Sequence, residues 1–305
     1  MATLLAAILV NDILPVFVVA GVGFLLARYV KADVKTLSRT TFNAFAPCLV
    51  FHLLVTSSLG ANDFGRMIVY AVSVIALVGL VGRLAAIPLR LDRQALAAFL
   101  IVVMFSNSGN FGLSAILFAF GREALTHASI YFVTNAVLMY TVGVFLASAG
   151  RAPVRQALAG VLRVPAVYGV LLAAIVMATG ITLPPAVMRP VSLLADASIP
   201  VMLVVLGMQL ERGRWPARPA AVLTAVLLVL VACPLIGTAL ASLVGLAGVA
   251  RQAAIAQAAM PAAVVNTIIA LEYDVEPSFV TAVVFVSTLA SPLTVTLVFA
   301  LLGAR

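Results

Sequence analysis

Long apolar segments recur along the whole chain, and they constrain its fold more than any other feature. Each segment is roughly 17 to 25 residues long, which is enough for a helix to cross about 30 Å of hydrocarbon. Of the 305 residues, 64% are hydrophobic and 9% are charged. A soluble domain cannot bury that much apolar surface, so the sequence predicts an all-α polytopic membrane protein.

Ten membrane spans are predicted from the charged or Gly/Pro-rich breaks between the apolar segments. The first span has no basic region before it and no small-residue cleavage site, so we expect it to be retained and not removed as a signal peptide. The spans cover roughly residues 4–27, 40–58, 65–83, 94–120, 126–148, 164–181, 188–210, 219–243, 252–272 and 278–302.

Basic residues concentrate in the loops that follow the odd-numbered spans. These loops carry Arg28, Lys31, Lys35, Arg39, Arg83, Arg90, Arg93, Arg151, Arg155, Arg163, Arg212, Arg214 and Arg218, whereas the loops after the second, fourth, sixth and eighth spans carry one arginine each: Arg66, Arg122, Arg189 and Arg251. Because basic loops remain in the cytoplasm, both termini are predicted to lie outside.

Several functional classes find no support in the sequence. The net charge of +8 is not gathered into a basic domain with aromatic platforms, which argues against nucleic-acid binding. His52 and His127 are scattered, with no HExxH or Cys/His cluster and no nucleophile context, so neither a metal site nor a hydrolase is expected. Cys48 and Cys233 lie inside predicted spans as buried apolar cysteines. We expect no enzyme activity, no metal and no cofactor.

The chain contains an internal repeat. Pro15 aligns with Pro165, Pro47 with Pro200, Asn43 with Asp196, and Arg93-Gln94-Ala95 with Arg251-Gln252-Ala253. The predicted units are residues 1–148, a cytoplasmic connecting loop 149–163, and residues 164–305. Each unit holds five spans, an odd number, so the second must enter the membrane from the opposite side. Such inverted repeats are typical of secondary transporters.

Two segments interrupt their helices in matching positions of the repeats. SNSGNFG, residues 106–112, lies in the fourth span, where Gly109 and Gly112 lower helical stability. QAAMPAAVVN, residues 257–266, lies in the ninth, where Pro261 has no N–H to donate. Irregular backbone in a bilayer persists only inside protein or beside a water-filled cavity. The breaks therefore predict a substrate site, although small and polar residues also serve close helix packing.

Polar and small residues around the two breaks are the candidates for substrate binding. They are Asn107, Ser108, Gly109, Asn110, Gly112, Gln257, Pro261, Asn266 and Thr267. Asn135 in the fifth span and Ser287 in the tenth lie at similar distances beyond the breaks, so they either line the same cavity or hydrogen-bond between helices. Half-helix N-termini at the breaks would attract an anion, whereas freed carbonyls would suit a cation.

Coupling to an ion is a separate prediction. Among the acidic residues, only Asp196 is expected to lie clearly within a span, where a carboxylate is costly and is often functional. Asp196 and its repeat counterpart Asn43 are therefore candidate coupling residues, or else they brace Pro200 and Pro47. Coupling to H⁺, coupling to Na⁺ and uncoupled transport all remain open.

Three motifs resemble the auxin efflux carrier family. NSGNFGLSAILFAFGREAL (107–125) is similar to the family's Asn/Gly-rich break, with Ser114 where the family often has proline. MPAAVVNTIIALEYDVEPSFVTAVVFVSTLASPL (260–293) resembles its second half, and ADASIPVMLVVLGMQL (195–210) its seventh helix.

The resemblance implies a bacterial inner-membrane carrier of the bile acid/auxin transporter type with ten helices, of which the fourth and ninth are broken and cross. Helices 3–5 and 8–10 would form a transport domain, and helices 1, 2, 6 and 7 a scaffold that commonly dimerises. The family's known substrates imply a small organic anion, a carboxylate. A membrane ligand sensor and a channel are the alternatives.

Overall fold

The computed structural model describes residues 2–57, 59–148, 162–211 and 218–304, and nearly all of them are helical. The helices are α1 (2–30), α2 (34–55), α3 (Ala61–Ala85), α4 (Arg93–Met104), α5 (108–120), α6 (122–147), α7 (Pro165–Thr179), α8 (Pro185–Leu210), α9 (219–243), α10 (Gly248–Ala258), α11 (Val265–Glu272) and α12 (Pro277–Leu301). Most of the predicted connecting loop 149–163 lies outside the described residues, and so do Arg212 and Arg214.

Six helical stretches among the described residues are long and apolar enough to cross a membrane. They are Thr3–Val30, Asn62–Ala85, Ser108–Ala147, Pro185–Leu210, Pro219–Leu243 and Pro277–Leu301. The protein is therefore an all-helical, multi-pass membrane protein. The count of ten spans stays a prediction, because the fourth and ninth predicted spans each consist of two short helices and neither α2 nor α7 is among the six.

Gly121 separates α5 from α6. Its φ of +79° and ψ of −171° lie outside the helical region, although helical hydrogen bonding surrounds it. A positive φ of this size is readily adopted only by glycine. This non-helical residue makes Arg122 the first residue of α6.

Aspartates cap two of the helices. Asp33 accepts hydrogen bonds from the amides of Lys35 and Thr36 at the start of α2, and Asp92 accepts one from Ala95 at the start of α4. Hydrogen bonds from the Thr36 hydroxyl and from the amides of Lys35 and Thr36 hold the pKa of the Asp33 carboxyl below its ordinary value. Such caps satisfy amides that have no partner within the helix.

Glycines allow close contact between α1 and α8 and between α2 and α7. A Cβ on Gly207 of α8 would overlap the carbonyl oxygen of Ala20, and one on Gly23 of α1 would overlap that of Val204. A Cβ on Gly169 of α7 would likewise crowd the carbonyl oxygen of Pro47. Because α2 also packs on α8, the helices α1, α2, α7 and α8 form one packed set.

The helices α4, α6, α9 and α10 pack around α3. This helix contacts α4, the helical stretch Ser114–Leu138 and the second half of α9. Tyr70 of α3 stacks obliquely on Tyr131 of α6, with 6.1 Å between ring centroids. Gly237 of α9 faces the Tyr70 hydroxyl and Ala258 of α10, at a distance that leaves no room for a side chain. These contacts hold α4, α5, α10 and α11 around the two interruptions.

Candidate functional site

The two helix interruptions lie side by side and hydrogen-bond to each other. The Asn107 amide donates to the Pro261 carbonyl oxygen at 2.7 Å, and the Ala263 amide donates to the Phe105 carbonyl oxygen at 3.0 Å. Ser106 and Ala262 face each other between these bonds as an isolated antiparallel bridge. Each interruption therefore supplies the partners that the other needs, which is how unwound backbone survives in the protein interior.

The interruptions are shorter than the sequence predicted. Helical structure ends at Met104 and resumes at Ser108, where a π-helical turn over Ser108–Leu113 begins α5. Gly109 and Gly112 are therefore helical, and the prediction that they make the break is wrong. Their small size serves packing instead, because a Cβ on Gly109 would meet the Phe132 ring and one on Gly112 would meet the Gln257 amide.

Asn107 stands at the start of α5 and caps it. Its Oδ1 accepts a hydrogen bond from the Phe111 amide at 3.4 Å. Its Nδ2 is buried and has no hydrogen-bond partner among the described residues. One half of this amide thus holds the backbone, and the other half remains available as a donor.

In Asn266 and Asn135 the roles of the two amide atoms are exchanged: Nδ2 makes the hydrogen bonds, and Oδ1 is left without a partner in the described part of the chain. Asn266 Nδ2 donates to the Phe105 carbonyl oxygen at 2.9 Å. Asn135 Nδ2 donates to the Ser106 carbonyl oxygen at 3.1 Å and to Ser108 Oγ at 3.0 Å. The Oδ1 atoms of both residues are buried without a partner in the described part of the chain. An unpaired buried polar atom costs about 1–3 kcal/mol, so these oxygens are candidates for a ligand contact.

Gln257 and Ser287 hold the interruptions in place. Gln257 is fully buried, and its Nε2 donates to the carbonyl oxygens of Ser108 and Ala128 at 3.1 and 3.0 Å. Ser287 Oγ accepts a hydrogen bond from the Ala262 amide at 3.2 Å. Ser287 therefore bonds the non-helical backbone at Ala262, while Gln257 bonds the backbone through Nε2 and leaves its Oε1 buried without a partner among the described residues.

Asn110 and Thr267 are half-buried, unlike Asn107 and Asn266. They belong to the first turns of α5 and α11, the two helices that begin at the interruptions. Of the predicted substrate-binding residues, these two give the paired interruptions their accessible polar surface.

A cavity of about 240 Å³ lies between α1, α2 and α8 on one side and α5 and α6 on the other. Its walls are apolar, with Val19, Leu49, Phe118 and Leu203 among them. Three ionisable side chains also line it: His52, Arg122 and Asp196.

The predicted coupling residues, Asp196 and Asn43, both have exposed side chains. Asp196 forms an ion pair with Arg122, with 3.4 Å between Oδ1 and Nη2, and its side chain is 56% exposed. Asn43 is exposed and donates to the Arg39 carbonyl oxygen within its own helix. These contacts do not brace Pro47 or Pro200, and a coupling role for either residue stays a prediction.

Asp12 is an acidic residue that the sequence analysis missed. It lies in a π-helical turn of α1 and is 5% exposed, and its Oδ2 has no partner among the described residues. The turn packs against the stretch Ser114–Leu138 and against α12. The expectation that Asp196 is the only acid within a span is therefore wrong. The signal was the polar pair Asn11-Asp12 inside an apolar segment.

Comparisons with known proteins agree with this architecture. A sequence model described as membrane transport protein matches the chain twice, over residues 8–158 and 149–299. An uncharacterized transporter of Methanothermobacter thermautotrophicus (strain Delta H) is 26% identical over 288 residues, which make up 92% of this chain and 94% of the relative. The two family matches together cover nearly the whole sequence, so the chain belongs to the membrane transport protein family, the auxin efflux carrier family that its motifs resemble.

Proposed function

We propose that the protein is a secondary transporter that moves a small organic anion, a carboxylate, across the membrane by alternating access. The observation that carries the proposal is the reciprocal pairing of the two interruptions. Four backbone groups are satisfied there, while the free amide atoms of Asn107, Asn135 and Asn266 lack partners among the described residues. A polar site surrounded by packed apolar helices is the arrangement that a solute needs to pass through a bilayer.

An inverted repeat of two five-span units is part of the proposal, with two observations in support. The family model matches each half of the chain separately. In addition, the first helix of each half packs on the second helix of the other half: α1 on α8, and α7 on α2, with glycine against a carbonyl oxygen in both contacts. A two-fold axis in the membrane plane relates such contacts to each other, and it allows outward-open and inward-open states to interconvert.

The two sets of packed helices suggest which parts move. We assign α1, α2, α7 and α8, the first, second, sixth and seventh spans, to a scaffold that also forms a homodimer. The helices from α3 to α6 and from α9 to α12 form the transport domain, which carries the paired interruptions. The cavity between the two sets then lies on the surface along which the transport domain would slide.

Two of the four helix ends at the interruptions suit an anion, whereas the ends of α4 and α10 bring carbonyl groups to the same place. α5 begins at Ser108 and α11 begins at Val265, so the amide ends of both helices lie at the paired segments. Helix N-termini carry a partial positive charge and bind carboxylates. The choice of a carboxylate therefore rests on the family resemblance, with these two N-termini as the groups that would receive it.

The basic loops support an orientation with both termini outside, and the location in the cytoplasmic membrane of a bacterium rests on the family resemblance. Coupling to H⁺ or Na⁺ is decided by imposing a gradient of each ion in turn on proteoliposomes and measuring whether it drives accumulation.

Counterflow of radiolabelled carboxylates in proteoliposomes tests the function. A carrier gives saturable counterflow, a channel gives flux that does not saturate, and a sensor binds ligand without flux. Asn266→Ala removes the Nδ2 bond to Phe105 and the free Oδ1, and we expect it to reduce counterflow at least tenfold. Asn62→Ala, at the exposed start of α3, is the matched control and should transport normally. Normal transport by a folded Asn266→Ala protein would contradict the site.

A further inference from the structure

We propose that Arg122 receives the carboxylate of the ligand at the 240 Å³ cavity, and that Asp196 occupies this guanidinium until the ligand replaces it. The ligand class is a monocarboxylate with an apolar body. The inference rests on the proposed transport function for its biological meaning, but binding at the cavity is measurable without transport.

The ion pair has the geometry of an exchangeable contact. It consists of a single Nη2–Oδ1 approach at 3.4 Å, whereas charge-assisted hydrogen bonds are typically about 2.7–2.9 Å long. Both side chains are more than half exposed, at 70% for Arg122 and 56% for Asp196. Exposed ion pairs contribute little free energy. A free carboxylate that meets the guanidinium with two parallel hydrogen bonds therefore has the better geometry.

The residues that line the cavity determine the chemical character of the part of the ligand beyond its carboxylate. Apart from His52, Arg122 and Asp196, every lining residue is apolar. An aliphatic or aromatic body would bury apolar surface against Leu49, Leu53 and Phe118. A second carboxylate would either lose its hydration against these walls or approach Asp196, a like charge. One negative charge on an apolar body is the composition that the cavity accepts.

The position of the pair links binding to movement. Arg122 begins α6 of the proposed transport domain, and Asp196 belongs to α8 of the proposed scaffold. When the ligand takes Arg122 from Asp196, it removes one ionic contact between the two helix sets. The ligand thus binds at the boundary between the two sets, where the loss of this exposed ionic contact costs little free energy.

Binding of radiolabelled benzoate to the purified full-length protein tests the assignment. Arg122→Gln should weaken binding by roughly 10- to 100-fold, because a hydrogen-bonded charge is lost. Arg189→Gln, an exposed arginine on α8 outside the cavity lining, removes the same net charge and should leave the affinity unchanged. Succinate should compete with benzoate far more weakly than hexanoate does.

Asp196→Asn provides the readout that a purely structural ion pair would not give. Removal of the competing carboxylate should tighten benzoate binding roughly two- to fivefold, opposite in sign to Arg122→Gln. Weakening by both variants, or no change in either, would overturn the inference. So would saturable carboxylate flux by a wild-type protein that does not bind benzoate, and this result leaves the transport function intact. Arg122-dependent binding without any flux would instead reject transport and retain the binding site.

Discussion

At the scale of single residues, the amide side chains near the interruptions each bond the backbone through one atom and leave the other atom buried without a partner among the described residues. Gln257 uses its Nε2 on two main-chain oxygens, those of Ser108 and Ala128, and its Oε1 has no partner there. Asn107 and Asn266 each use one atom on the backbone and leave the other free of partners in the described residues. The sequence placed all three in one group of substrate-binding candidates, but it could not show which atom of each side chain bonds the backbone and which is left without a partner.

Gln257→Met tests the holding role. The substitution conserves volume but leaves the carbonyl oxygens of Ser108 and Ala128 without the amide donor. We expect a loss of roughly 1–3 kcal/mol in the free energy of unfolding, measured as a lower unfolding temperature in detergent. Gln252→Met, which removes one bond from a partly buried glutamine to Leu302 at 2.8 Å, should cost less. Equal, small losses in both variants would show that Gln257 is not a brace.

At the scale of helices, the sequence located most elements well and the interruptions less well. Apolar length and flanking charges determine where a span can lie, so the predicted bounds of α3, α8 and α12 agree with the structure within a few residues. The conformation of SNSGNFG depends on a partner about half a chain away. The Asn107 side chain caps α5, and the Asn107 amide donates a hydrogen bond to the Pro261 carbonyl oxygen. The helix therefore resumes at Ser108, although the glycines predicted a longer break.

Gly207→Ala tests the contact between α1 and α8. An added Cβ would overlap the Ala20 carbonyl oxygen, which is main chain and cannot rotate away, so the helices must separate. Overpacking of this kind costs about 1–3 kcal/mol, and we expect a lower unfolding temperature in detergent. Gly21→Ala, on α1 with no atom within 4 Å of the new Cβ, is the control and should be neutral or slightly stabilising. An unchanged Gly207→Ala protein would mean that the two helices are less closely packed.

At the scale of the molecule, the protein consists of two helix sets with a cavity along part of their boundary. Interruptions from both halves of the chain meet inside one set, while the charged pair Arg122 and Asp196 joins one set to the other. This arrangement lets the paired interruptions move as a unit, since their mutual hydrogen bonds do not cross the boundary. The family resemblance implied this division of the helices, but the side chains that meet at the boundary, such as Arg122 and Asp196, depend on packing between distant helices and could not be predicted.

Cross-linking of the two sets tests whether they move against each other. Phe42 of α2 and Tyr140 of α6 lie across the boundary, with 5.7 Å between ring centroids. In a background without the two native cysteines, a short bis-maleimide across Phe42→Cys and Tyr140→Cys should abolish counterflow that the same protein shows beforehand. Ser38→Cys and Gln209→Cys, a neighbouring pair within the scaffold, should keep their flux after cross-linking. Flux that survives the first cross-link would exclude sliding between the sets.

The hydrogen bonds between the interruptions also impose an order on biogenesis. A ribosome delivers α4 and α5 to the bilayer well before α10 and α11. Until Pro261 and Ala263 arrive, the Asn107 amide and the Phe105 carbonyl lack the partners seen in the finished protein, at a cost of several kcal/mol per group in hydrocarbon. The nascent first half is thus an incomplete insertion intermediate that the translocon must shelter, and a second half synthesised as a separate polypeptide should be able to complete it.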